Sequence, residues 1–236
     1  VVADNSGTAT VNVIDPTSTA TNAAPTTNKV DLTVTKAGQV ALTVADKMDY
    51  EGKLSAAEAT SVTAAIKGQT SGTAEIIAGK AQSVVISEVT GANSALKVTA
   101  GAATSVQVSN AKDLNLSGST LSKVETFSSN GAGAINTGDL GAANQVTVEN
   151  TGAATIGAVG SATQDYSANI TVSGSGATSI GDVKTQNQAV NITANNLTGN
   201  FAVTSIAAGT GDVNVTAKTT GTATLGATAG KNVVAN

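Results

Sequence analysis

The second half of the chain alternates aliphatic and polar residues in short runs that recur. In "ANITVSGSGATSIGDVK", Ile170 and Val172 are two residues apart, "SGSG" follows them, and Ile180 belongs to the next run. Strict alternation predicts short strands with one buried face. Gly, Asn and Ser between the runs predict sharp turns.

The runs recur at a regular interval. The first aliphatic residue of each strong run returns about every 21 residues, and a second aliphatic position lies roughly midway. The first series is Val84, Val106, Val124, Val146, Ile170, Val190, Val213 and Val233; the second is Val98, Leu116, Ile135, Ile156, Ile180, Val203 and Leu225. One coil cannot bury so few aliphatic side chains alone, whereas stacked coils can. We therefore predict an all-β fold, a parallel β-solenoid with coils of about 21 residues. Tandem β-sandwiches stay open as the alternative, since they also contain many short strands.

The chain divides into three segments by composition. Residues 1–28 contain Pro16 and Pro25 among small polar residues, which predicts a linker or the end of a preceding segment, with a short strand at 11–14. Residues 29–74 hold two alternating runs around "KAG" and a helical pattern, and residues 75–236 hold the repeats. The chain begins at Val1, so we expect a mature product or a fragment.

The helical pattern covers residues 55–67. Ser55 and Glu58 have the spacing of a capping box, and Gly68 follows as a stop. The apolar residues Ala59, Val62, Ala65 and Ile66 fall on one helical face. We expect a short helix here that caps the open end of the solenoid.

Composition excludes several kinds of chemistry. The chain has no His, no Cys and no Arg, which rules out Ser–His and Cys–His catalysis and His-based metal sites. Twelve Lys against sixteen acidic residues give a net charge of −4, which argues against nucleic-acid binding and membrane insertion. The acids of the repeats are expected to be solvated turn residues, so we expect no enzyme. Threonines show no regular T-x-T file, which weakens an ice-binding interpretation.

One segment resembles a calcium loop. In "DKMDYEGKLSAAE", residues 46–58, acidic and hydroxyl residues and a Gly stand at spacings similar to those of EF-hand and dockerin-like modules. Lys47 occupies the first ligand position, so Asp46 would have to enter through a one-residue bulge. The candidate ligands are Asp46, Asp49, Glu51, Ser55 and Glu58, and the candidate cofactor is calcium.

The repeats from 84 to 233 resemble the Ala/Thr/Gly/Asn-rich solenoid regions of bacterial surface-layer proteins and related secreted adhesins. The likeness rests on repeat style, as in "NQVTVENTGAATIGAVG" and "GDVNVTAKTTGTATLGATAG". It implies a structural protein, secreted to the bacterial cell surface, that associates with itself into a lattice or filament, commonly with calcium. Attachment to a cell-surface glycan would use regions outside this chain. A glycan-binding or polysaccharide-degrading β-helix and an adhesin stalk are the alternatives.

Overall fold

Strands are the only regular elements in the part of the chain that the structure describes. The structure, a computed structural model, describes residues 2–3, 7–14, 26–71, 73–92 and 94–236. It is an all-β parallel β-solenoid with successive turns about 22 residues apart. The alternative of tandem sandwiches is wrong, because such sandwiches are built from antiparallel sheets. Pro16 and Pro25 lie outside the described residues, and the segment boundaries at 28 and 74 stay predictions.

The chain forms two compact units, Val1–Leu121 and Ser122–Asn236. Strands of the first unit are β1 Val2–Ala3, β2 Thr8–Val13, β3 Thr26–Asn28, β4 Leu32–Val34, β5 Gln39–Val44, β6 Met48–Tyr50, β7 Lys53–Ser55, β8 Ser61–Ile66, β9 Gln69–Thr70, β10 Glu75–Ile77, β11 Ser83–Val89, β12 Ser94–Ala95, β13 Lys97–Thr99, β14 Ser105–Asn110 and β15 Leu114–Leu116. Its long sheet has the order β2-β5-β8-β11-β14, and a second sheet has the order β1-β4-β7-β10-β13. A third sheet joins β3, β6 and β9, and β12 pairs with β15.

The second unit repeats this design with two sheets. Its strands are β16 Thr126–Gly131, β17 Ile135–Thr137, β18 Gln145–Asn150, β19 Ala154–Ile156, β20 Val159–Gly160, β21 Ala168–Ser173, β22 Thr178–Lys184, β23 Val190–Leu197, β24 Phe201–Ala207, β25 Val213–Thr219, β26 Ala223–Ala229 and β27 Val233–Ala235. The long sheet runs β16-β18-β21-β23-β25-β27, and the short sheet runs β17-β19-β22-β24-β26, with β20 on β22.

Aliphatic side chains stack directly over one another inside each unit. In the first unit the ladder is Val40, Val62, Val84 and Val106, all buried. In the second it is Val146, Ile170, Ile192 and Val215, also buried. Each coil contributes only a thin row, so burial depends on the coils above and below.

The predicted helix at 55–67 is wrong. Ser55 ends β7, and residues 61–66 form β8, whose Val62, Ala64 and Ile66 point into the core. β8 pairs on one side with β5 and on the other with β11. A helix here would leave β5 and β11 each without a partner on the edge that faces β8, so stacking overrides the local capping pattern.

The predicted repeat register is right in part. The prediction aligned Val190 with Ile170, whereas Ile170 pairs with Ile192 and Val190 pairs with Ala168. The predicted register is therefore wrong by two residues at this coil. Phe127, not Val124, pairs with Val146. In the second series, Ile156, Ile180, Val203 and Leu225 do form one ladder, while Val98 stacks on Ile76 and Ile135 on Ala154.

A column of glycines at one corner of the second unit lets the coils approach closely. A Cβ on Gly176 would overlap the carbonyl oxygen of Gly152, and one on Gly199 would meet the backbone of Gly176 and Ala177. Any side chain here therefore pushes two coils apart.

We predict that Gly176→Ala lowers the free energy of unfolding by about 1–3 kcal/mol, the usual cost of overpacking. Chemical denaturation followed by circular dichroism measures it. Gly141→Ala is the matched control, because no atom lies within 4 Å of a Cβ at that position. Equal stability of the two variants would contradict the close corner contact.

Candidate functional site

Two of the predicted calcium ligands meet at one side chain. Asp49, on β6, is 7 % exposed, and both of its carboxylate oxygens lie 2.7–2.8 Å from the Ser71 hydroxyl. Glu51 Oε1 lies 3.3 Å from the same hydroxyl, and Glu51 Oε2 pairs with Lys29 at 2.8 Å. Because one hydroxyl has one proton, it donates to only one of these oxygens at a time. Ser71 is 22 residues beyond Asp49 and belongs to the next coil, where it follows Gln69 and Thr70, the strand partners of Asp49 and Tyr50.

The other three predicted ligands have different surroundings. Asp46 is exposed in the turn after β5, where it accepts a hydrogen bond from the Lys47 amide and lines an open cleft with Thr90. Ser55 pairs within the second sheet, and Glu58 is exposed beside Lys80 at 2.6 Å. Among the described residues, no three acidic side chains are grouped so that they could hold a metal ion. Calcium binding stays a prediction, with Asp49 and Glu51 as its candidates.

Charged side chains of the first unit form ladders of alternating sign. In the second sheet, Glu75 lies between Lys53 and Lys97, at 3.7 and 3.0 Å, and the carboxylate of Asp31 accepts a hydrogen bond from the Lys53 amide. Three further pairs link neighbouring coils: Lys29–Glu51, Lys80–Glu58 and Lys67–Glu88. In the sequence, these ladders appear as opposite charges about 22 residues apart, as at Lys53, Glu75 and Lys97.

The carboxylates in these ladders are stabilised in their ionised form. Burial raises the pKa of Glu75, but hydrogen bonds from Lys97 and Thr99 and the charges of Lys97 and Lys53 outweigh it, and the pKa lies below its usual value. A hydrogen bond from Lys29 likewise lowers the pKa of Glu51. In the second unit, hydrogen bonds from Lys184 and Ser205 lower the pKa of Asp182.

Acidic residues of the second unit also join one coil to the next. Asp182 accepts from Ser205 at 2.6 Å, and Asp212 accepts from Asn232 at 2.7 Å. Asp165 accepts from Gln188, and Asp139 accepts from the Ala158 amide, each at 2.9 Å. These acids were expected to be simply solvated, whereas each of the four holds a neighbouring coil.

The long sheets carry a different kind of surface. In the second unit, one outward column consists of Gln145, Asn169, Asn191 and Asn214, and the next consists of Thr147, Thr171, Thr193 and Thr216. We call these eight residues the N-x-T face. None of them is charged, and Thr126 and Ser128 continue the two columns on β16. The threonines thus form a regular column beside an asparagine column, although no T-x-T file is present.

The N-x-T face is internally ordered. Asn191 Nδ2 donates to Asn169 Oδ1 at 2.9 Å, and Asn214 Nδ2 donates to Asn191 Oδ1 at 3.0 Å. The sequence marks the columns as "NIT", "NIT" and "NVT" at residues 169–171, 191–193 and 214–216. In the first unit's long sheet, Glu88 is the charged outward residue, at the irregularity of β11. The uncharged outward positions are Thr8, Thr10, Asn12, Gln39, Ala41, Thr43, Ser61, Thr63, Ala65, Ser83, Val85, Ser87, Ser105, Gln107 and Ser109.

Aromatic side chains lie away from these surfaces. Tyr50, Phe127 and Phe201 are fully buried, and Tyr166 is half-buried in a turn, where its hydroxyl donates to the Ala142 carbonyl. Burial, and secondarily the charge of Asp31, raises the pKa of Tyr50 to about 12.

Comparison with protein-family models, with curated proteins and with solved structures finds no match for this chain. Within its described residues, no helix is long and apolar enough to cross a membrane.

We predict that the stability of the protein falls in acid. Glu51, Glu75 and Asp182 have pKa values below those of the unfolded chain, so they stabilise the folded state above the ordinary values of 4.5 and 3.8. That stabilisation is lost as the pH falls through the lower folded-state pKa values. Denaturant unfolding measured from pH 7 to pH 2 follows the loss.

Glu75→Gln should reduce the loss of stability between pH 7 and pH 2. At neutral pH it should lower the free energy of unfolding by about 0.5–1 kcal/mol, as the loss of a partly exposed ion pair does. Glu149→Gln is the control, since Glu149 is exposed and has no side-chain partner among the described residues. An unchanged pH profile in Glu75→Gln would show that the ladder does not stabilise the coils.

Proposed function

We propose that this chain is a structural, self-associating module of an extracellular layer on a bacterial cell. The supporting observation is how its charged groups are used. Glu51, Glu58, Glu75 and Glu88 pair with lysines of neighbouring coils, and Asp182 and Asp212 bond to the coil that follows. These carboxylates, which could otherwise act as acids or bases, thus bind neighbouring coils to one another.

The architecture suits a mechanical role. Within each unit, the described strands pair in parallel with those of the adjacent coils, and their aliphatic side chains are buried by those coils. Such a stack resists local opening, because removing one coil exposes the rows above and below it. The style of the repeats, which resembles surface-layer proteins, supports the same role.

A glycan-binding or polysaccharide-degrading β-helix is less well supported. Sugar sites commonly use an exposed aromatic platform, and three of the four aromatic residues are fully buried. An adhesin stalk would have the same scaffold as a layer protein, and only assembly behaviour separates the two.

Electron microscopy of the purified chain tests the proposal. We expect negatively stained sheets or filaments at high protein concentration in calcium. If calcium binds at Asp49 and Glu51, a chelator should disperse them, and Asp49→Asn should mimic the chelator while Glu58→Gln should not. Monodisperse monomers at high concentration in calcium would contradict the proposed function.

A further inference from the structure

The N-x-T face is a regular surface of the second unit, and many of its polar groups take no part in holding the coils together. The hydroxyls of Thr147, Thr171, Thr193 and Thr216 make no hydrogen bond to protein groups in the described structure. Each amide in the asparagine ladder still has one N–H and an acceptor lone pair to offer. The face therefore presents a grid of donors and acceptors in register.

From this arrangement we infer that the N-x-T face binds the same face of a second copy of this chain. The inference rests on the proposed function and names the surface through which the module associates. A surface that offers donors and acceptors in similar numbers is complementary to itself. Two copies related by a twofold axis would then pair asparagine and threonine columns face to face.

Charge favours a second copy over other partners. Neither column contains a charged residue, so two copies that meet along these columns desolvate no ion there. The nearest outward charges on the same strands are Glu149 and Lys218, two residues beyond Thr147 and Thr216, and they have opposite signs. The central parts of protein interfaces are likewise depleted of charged residues. The eight residues of the N-x-T face include no cation that could bind an anionic membrane or a nucleic acid, and no aromatic ring on which a glycan could stack.

The face is also preorganised. Thr is β-branched and stiff at χ1, and the amides are held in line by Asn191 and Asn214, so little side-chain freedom remains to be lost on contact. In-register columns of this kind pack closely in paired sheets, and asparagine ladders add to such packing.

The area of the sheet fits a lattice contact. The whole long sheet has six strands, about 4.8 Å apart and about 20 Å long, and covers roughly 600 Å² in each copy, with the N-x-T face on its four central strands. The total of about 1,200 Å² lies at the low end for a specific interface. We therefore expect association at high concentration or within an array, where many such contacts act together.

Single cysteines test the contact, because the chain has none of its own. Thr147, Thr171, Thr193 and Thr216 are each changed to Cys, and Thr204→Cys is the control, an exposed threonine on β24 of the short sheet. A short bis-maleimide should link at least one face variant into dimers, because the column crosses the face and passes near the twofold axis. Thr204→Cys should stay monomeric.

A charge test keeps the inference independent of the proposed function. Thr171→Lys with Thr193→Lys should abolish assembly, whereas Thr204→Lys should not, with circular dichroism confirming that all variants fold. If the lysine variants of the face assemble as well as the unchanged chain, and the face cysteines give no cross-linked dimers, the inference fails and the proposed function stands.

If the unchanged chain stays monomeric under all conditions, the proposed function fails. The inference then fails too, unless the face cysteines still give cross-linked dimers.

Other ligands would overturn the inference in a recognisable way. If the monomer binds a neutral polysaccharide or slows ice growth, and Thr171→Lys with Thr193→Lys removes that activity, the face belongs to that ligand. In that case the face cysteines should give no dimers.

Discussion

The structure depends on one constraint, the direct stacking of each coil on the next in parallel register. Val62 is buried because Val40 and Val84 lie on either side of it, and the backbone of β8 is satisfied by β5 and β11. Two further features stabilise the contact between neighbouring coils. The glycine corner around Gly176 lets coils approach, and Glu75 ties its coil to both neighbours through lysines. A chain with few aromatic residues can fold this way because each buried row is narrow and repeated.

The same constraint separates two kinds of surface. Charged side chains concentrate where they bridge coils in alternating sign, as Lys53, Glu75 and Lys97 do. The two columns of the N-x-T face, in contrast, carry uncharged side chains, and Glu149 and Lys218 are the exposed charges that follow on their strands. Charge ladders also favour correct register, because a one-coil error would place like charges side by side. The uncharged columns of the N-x-T face are then available for contacts between molecules, and this separation of charged and uncharged surface links the fold to the proposed assembly.

Repetition made the fold predictable from sequence, and local ambiguity limited the detail. The interval between Val84 and Val106 is the true register. The slip at Val190 arose because Val190 and Ile192 are both aliphatic and two residues apart, so either could begin the repeat. The helix at 55–67 was predicted from Ser55 and Glu58, whose spacing is local, whereas the partners of Val62 lie 22 residues away in each direction. Of the candidate ligands, Asp49 and Glu51 meet only through Ser71, one coil later, which a loop template does not contain.

Contacts between methyl groups one coil apart test the stacking most directly. In a methyl-labelled sample, nuclear Overhauser effects should connect Val62 with both Val40 and Val84. A helix over residues 55–67 would instead connect Val62 with Ala59 and Ile66 and with neither valine. That second pattern, or contacts that require antiparallel neighbours, would contradict the stacked parallel register on which the scaffold depends.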